Sequence, residues 1–463
     1  MNVEAKGTLS VQWHITSKCM KKCRHCYMYE SERYKTEIEN ELSYEDMIAI
    51  LDDIKSFEEK WGFYVNDFYI TGGDPVLNPH FKDFLFELKR RKKRIYIMGN
   101  PETLTEDVIG LFKEVGIIQM QMSLDGLRDT HDFYRGKGNF DLTIKALELL
   151  DKNDILGSIM FTLTGENKNE LIPLLNYVAK HTKAKGFAFD LVCGVGNAKD
   201  IDVQLTKEDV KQYLELYLLE KARLKKEGFS LRISEKSKFF QLLHYDNNEY
   251  YPYETDDFPT TGGCYVGFTC YTILADGSVP ACRRFPTLIG KMPEEKMEDI
   301  FLSNELLKRF RRPAYYETCG SCMFYKSCRG CPAVTYGYYG NPLEDNPLCF
   351  RNLLKKDVCL VDRESIRVDT TKEEEANVVK SILKNQYVHD YDKFTEKNNV
   401  ILLIGTLLCN VNERKKFFYN PDRYVQLNGY LDITKKDIAY ICYYIGCIKQ
   451  NRLPNPVKYA LDI

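Results

Sequence analysis

The sequence has no run of about 18 apolar residues that could cross a bilayer, and Met1 to Ser10 lacks the apolar core of a secretory signal. Neither a membrane-spanning nor an exported protein is expected, and a cytoplasmic address follows. Net charge is scarce too: 65 Lys and Arg against 67 Asp and Glu leave −2, which gives no reason to expect nucleic acid as a partner. Internal repeats and low-complexity segments are absent. A composition of 44% hydrophobic and 29% charged residues is that of a folded protein. At 463 residues the chain exceeds what one core usually supports, so one large catalytic domain with smaller units is expected. Cysteine, by contrast, is abundant. In a reducing compartment 16 cysteines favour metal or redox chemistry over a disulfide framework. Three crowd into Cys19 to Cys26 and eight lie between Cys264 and Cys349, implying at least two metal-bearing regions.

The first 200 residues alternate β-like apolar runs with amphipathic stretches, the pattern of βα units on a parallel sheet. Strands are predicted at Leu9 to Thr16, Asp67 to Thr71, Arg94 to Gly99, Ile117 to Ser123, Ser158 to Leu163 and Gly186 to Val192. Six such units give an α/β fold, a partial (β/α)6 TIM-like barrel over residues 1–204 whose chemistry sits on loops at the C-terminal strand ends. Residues 205–263 read as a connecting helix and linker. Residues 264–352, with short strands, turns and dense cysteines, read as a small metal-stapled domain. Residues 353–463 read as a mainly helical extension, with capping-type spacing at Thr371/Glu374 and Thr434/Asp437.

Cys19-Met-Lys-Lys-Cys23-Arg-His-Cys26 follows the first strand at once. Three thiolates in one loop can hold three irons of a [4Fe–4S] cube and leave the fourth open. An open iron can chelate the amino and carboxylate groups of S-adenosylmethionine (SAM), and one electron into the sulfonium then releases a 5′-deoxyadenosyl radical. A zinc site with a distant fourth ligand is the alternative. Gly72-Gly73-Asp74-Pro75 follows the second strand and Ser123-Leu124-Asp125-Gly126 the fourth. Their glycines let backbone approach a ligand, and their carboxylates can accept from the SAM ammonium. Asn100 and Asn167 could line the same site or act in turns, and Gly194-Val195-Gly196 is better read as a tight turn than as a phosphate loop.

The C-x3-C-x2-C spacing with these motifs resembles the radical SAM superfamily over the first 200 residues. The resemblance implies SAM contacts from Gly72, Gly73, Asp74, Asp125, a ribose contact from Ser123, and a carboxylate contact from Arg135 in His131-Asp-Phe-Tyr-Arg135. Glu is usual in the family where this chain has Asp74, so the reach is one methylene shorter. Cys264, Cys270, Cys282, Cys319, Cys322, Cys328, Cys331 and Cys349 resemble the SPASM domain of radical SAM peptide and protein maturases, with a loop between Cys328 and Cys331 that is one residue shorter than usual. The resemblance implies two auxiliary [4Fe–4S] clusters, one on Cys264, Cys270, Cys282 and Cys331, the other on Cys319, Cys322, Cys328 and Cys349, for three clusters in all. From the C-x2-C pairs alone, structural zinc sites remain the alternative. The other cysteines, Cys193, Cys359, Cys409, Cys442 and Cys447, read as buried small hydrophobes, except that Cys193 ends the sixth strand where a thiol could face substrate.

The resemblance implies hydrogen abstraction from a ribosomal peptide or protein substrate, giving a crosslinked or oxidised residue. It also implies an electron donor such as flavodoxin or ferredoxin. No segment before Ser10 could form a peptide-binding winged domain, so precursor recognition is expected to use a separate protein or the helical extension. A sulfatase-maturating enzyme forming formylglycine is an alternative; that family has an aspartate base after the third auxiliary cysteine, where this chain has Arg283 and Arg284. A non-catalytic iron–sulfur or zinc scaffold is a second alternative.

Overall fold

The computed structural model describes residues 8–29, 32–200, 205–252, 263–361, 368–384, 398–430 and 432–449. Six strands run as expected, with slightly different ends: β1 (Thr8–Thr16), β2 (Tyr64–Gly72), β3 (Arg94–Met98), β4 (Gln119–Ser123), β5 (Leu156–Leu163) and β6 (Gly186–Leu191). They lie side by side in chain order, every neighbouring pair parallel. Parallel neighbours need a crossover, and helices supply it. One of these, Tyr44–Trp61, shows how firmly the sequence sets its ends. Ser43 and Asp46 form a reciprocal capping box at its start, and Gly62 closes it in the left-handed conformation. Its apolar stripe, Met47, Ile50, Leu51, Ile54 and Phe57, is buried in the same core as Leu9, Val11, Trp13 and Ile15 of β1. Each such side chain contributes roughly 1.5–3 kcal/mol when fully buried.

Two strands beyond the expected six extend the sheet. β7 (Arg232–Ser234) pairs parallel with β6, and β8 (Cys270–Ile273) pairs parallel with β1, giving the order β7-β6-β5-β4-β3-β2-β1-β8. The cysteine-rich region is thus continuous with the barrel sheet, in register from Ser10 opposite Cys270 to Trp13 opposite Ile273. Its own core is a hairpin of β9 (Ser278–Cys282) and β10 (Phe285–Lys291). β8 and β9 are joined at Asp276-Gly277, where Gly277 has φ +81° and a Cβ would lie 2.0 Å from the Met292 carbonyl oxygen.

The C-terminal region is helical as expected. Helix Lys372–Lys384 follows Thr371, which exchanges capping bonds with Glu374, and joins the main core through Ala376 and Val379. Helices Asn398–Cys409, Val411–Tyr419, Pro421–Leu427 and Lys435–Lys449 share a second apolar cluster that includes Leu403, Leu407, Phe417 and Ile441. Of the cysteines expected to be buried, Cys193 and Cys442 are, whereas Cys359 and Cys409 are exposed; the side chain of Cys447 and most of the expected linker lie outside the described residues. Among the described residues no helix is long and apolar enough to cross a membrane.

Candidate functional site

The loop after β1 carries Cys19, Cys23 and Cys26 to the C-terminal edge of the sheet, where β2 holds it in place. Gly73 N donates to the Thr16 carbonyl at 2.9 Å and Asp74 N to the Lys18 carbonyl at 2.8 Å. Both glycines are needed for that approach. A Cβ on Gly72 would lie 2.0 Å from the Thr16 oxygen, and one on Gly73 2.2 Å from the Lys18 oxygen. The far side is closed by the turn read from Gly194-Val-Gly196: Asn197 N donates to the Cys26 carbonyl at 2.9 Å, and a Cβ on Gly196 would lie 2.5 Å from the Tyr27 oxygen.

The three thiols line an open cavity together with Gly73, Asn100, Ser123 and Arg135. Donors converge on the sulfurs. Asn100 Nδ2 lies 3.5 Å from Cys19 Sγ, Lys21 N 3.4 Å from the same sulfur, Tyr29 N 3.4 Å from Cys26 Sγ and Arg135 Nη1 3.7 Å from Cys23 Sγ. Such donors suit anionic thiolates, which the free protein holds back by burial: Cys19 is pushed up to about 11 and Cys23 is raised despite Arg135. Loading a metal group would therefore release protons.

The two acidic residues of the motifs stand behind the cavity wall. Asp74 is fully buried and accepts from Thr103 Oγ1 at 2.8 Å and Asn100 Nδ2 at 3.4 Å, and burial raises its pKa. Asp125 is also fully buried; its Oδ2 accepts from Arg135 Nε at 2.5 Å and its Oδ1 from Thr162 N at 2.9 Å. Burial alone would raise Asp125, but Arg135, His25 and His131 hold it at about 2. Each carboxylate positions a cavity-lining partner, Asn100 in one case and Arg135 in the other. Asn167 does not reach the cavity: its amide bonds Asp125 O at 3.0 Å, Thr162 O at 2.9 Å and Thr164 N at 2.8 Å, a turn role.

The eight C-terminal cysteines separate into two groups. Cys319, Cys322, Cys328 and Cys349 all line one small pocket, walled by Phe239, Leu242 and Phe324. Gly330 N donates to Cys328 Sγ at 3.4 Å. Cys264 interacts electrostatically with Cys331 and Cys282, Cys282 with Cys331, and Cys270 with Cys282, and burial raises Cys264, Cys270 and Cys282. Cys331 differs. The Cys193 thiol and then Arg284, whose Nη2 lies 3.4 Å from its sulfur, hold it below the ordinary thiol range, while Cys193 is pushed up by the same contact and by burial. Among the described residues no three His, Cys, Asp or Glu side chains converge closely enough to share one metal ion.

Sequence reasoning missed much of the cavity. His25, Tyr27, Met98, Gln121, Asp190 and Lys236 line it with the expected residues, and so do Arg283 and Arg284 from the turn between β9 and β10. Cys193 lines it too. Cys193 is the thiol read from the sequence as able to face substrate, and His25 and Tyr27 belong to the thiol loop itself; for Met98, Gln121 and Asp190 alternation along β3, β4 and β6 toward the inner face was the signal available.

Residues 13–178 match the model of the radical SAM superfamily, and residues 264–323 match that of an iron–sulfur cluster-binding domain, SPASM. The chain is 26% identical over 364 residues to Fe-coproporphyrin III synthase of Methanosarcina barkeri, an alignment covering 75% of this chain and 88% of that protein. It is 24% identical to the mycofactocin maturase MftC of Mycobacterium tuberculosis over 74% of this chain and 82% of that one. In fold it is similar to SuiB of Streptococcus suis in a structure bound to S-adenosylmethionine, with a TM-score of 0.59 and 18% identity over 74% of this chain and 78% of that chain. The thiol loop at the sheet edge lies within the residues that match the radical SAM superfamily, and strands β8 to β10, with Arg283 and Arg284 on the cavity wall, lie within those that match the SPASM iron–sulfur cluster-binding domain.

Proposed function

We propose that this enzyme reductively cleaves SAM and abstracts hydrogen from a ribosomal peptide or protein, leaving a crosslinked or oxidised residue. The observation that carries this is one cavity lined by Cys19, Cys23, Cys26, Gly73, Ser123 and Arg135 at one wall and by Arg283 and Arg284 of the cysteine-rich region at another. In this reading Cys19, Cys23 and Cys26 hold a [4Fe–4S] cluster, Gly73, Ser123 and Arg135 contact SAM, and Gly72, Asp74 and Asp125 position those groups. Bound there, cluster and SAM together supply the 5′-deoxyadenosyl radical. Arg135 stays protonated and charged beside Asp125, ready to meet a carboxylate. Asn100, held by Asp74, fixes the outer face of Cys19.

Cys264, Cys270, Cys282 and Cys331 would hold one auxiliary [4Fe–4S] cluster and Cys319, Cys322, Cys328 and Cys349 another, three clusters in total. Four thiolates on each leave no open iron, which suits them to removing an electron from the substrate. The functional division follows as 1–204 for radical generation, 205–263 as connection, 264–352 for the auxiliary clusters and 353–463 as a helical extension. An electron donor such as flavodoxin or ferredoxin, a cytoplasmic address and a separate precursor-recognition protein complete the proposal.

A tetrapyrrole substrate is the second reading, favoured by the similarity to Fe-coproporphyrin III synthase over 88% of that protein's length. Formylglycine formation is disfavoured by Arg283 after Cys282, since a guanidinium cannot serve as a base. The test is anaerobic incubation with SAM and a low-potential reductant, read by mass spectrometry. Wild type releases 5′-deoxyadenosine and Cys19→Ala does not, and a small precursor encoded nearby loses two hydrogens. Turnover of coproporphyrin III alone would move the assignment to the second reading.

A further inference from the structure

The cavity has an uneven charge balance. Lys21, Arg135, Lys236, Arg283 and Arg284 line it, and among the described residues the only carboxylate lining it is Asp190 at the end of β6. Two of the cations are held from behind, Lys21 by Glu102 and Arg135 by Asp125. Arg284 is committed as well: Nη1 pairs with Asp190 Oδ2 at 3.0 Å and Nη2 faces Cys331 Sγ at 3.4 Å. Lys236 reaches the same Asp190 oxygen only at 3.8 Å, with Met160 Sδ at 3.9 Å on its other side. Arg283 has no carboxylate partner among the described residues. Its Nη1 lies 3.7 Å from Met98 Sδ, and its guanidinium sits 6.0 Å from the centroid of the Tyr27 ring.

A soft sulfur and an aromatic face orient a guanidinium, but they satisfy few of its five N–H donors. Water can do so while the cavity is open. The Cys270 and Cys282 thiols interact with its charge, but once a substrate displaces that water the remaining N–H donors of Arg283 still need an acceptor, and the planar fork of a guanidinium matches a carboxylate with two parallel hydrogen bonds. Lys236 adds a second, incompletely neutralised charge beside it.

We infer that Arg283, assisted by Lys236, receives a carboxylate of the substrate inside this cavity. The inference rests on the proposal that substrate enters the cavity lined by Cys19, Cys23 and Cys26. The same chemistry has two sources, an acidic side chain or C-terminus of a peptide and a propionate of a tetrapyrrole.

Equilibrium binding to the reconstituted, SAM-loaded protein separates them. The probes are coproporphyrin III against its tetramethyl ester, and a degenerate pool of capped pentapeptides with central Glu against the same pool with central Gln. One acidic probe binds at least about tenfold more tightly than its neutral counterpart, and which one does so identifies the source. Arg283→Gln weakens that probe by about ten- to a hundredfold, Arg283→Lys by less, and Lys236→Gln by a few-fold, with binding of the neutral probe unmoved. Circular dichroism verifies that each variant folds, and the charge-retaining Arg283→Lys keeps the test decisive if the glutamine variant does not. Equal affinities for acidic and neutral probes, or undiminished binding by Arg283→Gln, overturn the inference. Wild-type protein that fails to retain SAM in equilibrium dialysis would instead overturn the proposal about the cavity itself.

Discussion

Replacing Gly73 by alanine perturbs the cysteine loop without touching a cysteine. The added Cβ would lie 2.2 Å from the Lys18 oxygen, 2.6 Å from the Lys18 carbonyl carbon and 2.7 Å from the Ser17 oxygen. Ordinary contact begins near 3.4 Å, so the loop must retreat by roughly 1 Å, and the obstructing atoms are all backbone. That retreat stretches the bonds from Gly73 N to Thr16 O and from Asp74 N to Lys18 O. Two weakened bonds at about 1 kcal/mol each, with about 1–3 kcal/mol of overpacking, place the local cost at roughly 3–5 kcal/mol. Cys19 follows Lys18 directly and moves with it. A displacement of about 1 Å can reduce catalysis by about a hundredfold. The variant is therefore expected to fold and to lose up to about four irons per chain, those of the N-terminal cluster, and to release 5′-deoxyadenosine about a hundredfold more slowly. Iron analysis, electron paramagnetic resonance of the reduced protein and timed product assays read these effects. Gly110→Ala is the control: nothing lies within 4 Å of its Cβ on helix Glu106–Val115, and it stabilises by up to about 1 kcal/mol. Full iron content with wild-type cleavage in Gly73→Ala would refute the reasoning.

Cys331→Ala is expected to lose about four irons while the thiol loop after β1 keeps its own, and stoichiometric zinc in wild type would refute that assignment. Glu375 is buried between Arg311, at 3.0 Å, and Arg312, and also accepts from Thr370 Oγ1 at 2.6 Å. Glu375→Ala removes the carboxylate that neutralises two buried guanidinium groups, which costs about 3–5 kcal/mol and should expose helix Lys372–Lys384 to hydrogen exchange. His244 lies between Glu235 at 2.6 Å and Glu249 at 2.8 Å; burial alone would lower its pKa, but the carboxylates hold it up to about 9. Its folded value is above the unfolded value near 6.5, so its contribution, on the order of 2 kcal/mol after discounting for partial exposure, is complete below about pH 6.5 and disappears as pH rises through about 9. Urea midpoints at about pH 6 and pH 9.5 should therefore differ more in wild type than in His244→Gln, and equal differences would refute this.

Spacing in the sequence by itself determines which side chains share a loop, a helix face or a strand face, because those relations span a few residues. That is why Cys19, Cys23 and Cys26, the six βα strands, and the caps at Thr371 and Thr434 were legible before any coordinates. The grouping of Cys319, Cys322, Cys328 and Cys349 around one space was legible only through family resemblance, since nothing local distinguishes it from other pairings. Tertiary structure decided the rest. Asp74 and Asp125 point into the protein and act through Asn100 and Arg135 because full burial requires hydrogen-bond partners, and the partners come from elements 26 and 10 residues away. β8 joins the edge of the barrel sheet next to β1, about 260 residues earlier in the chain, through a parallel register that no local period encodes. That pairing carries β9 and the following turn to the cavity, and so brings Arg283 into the same space as Tyr27 and the thiol loop.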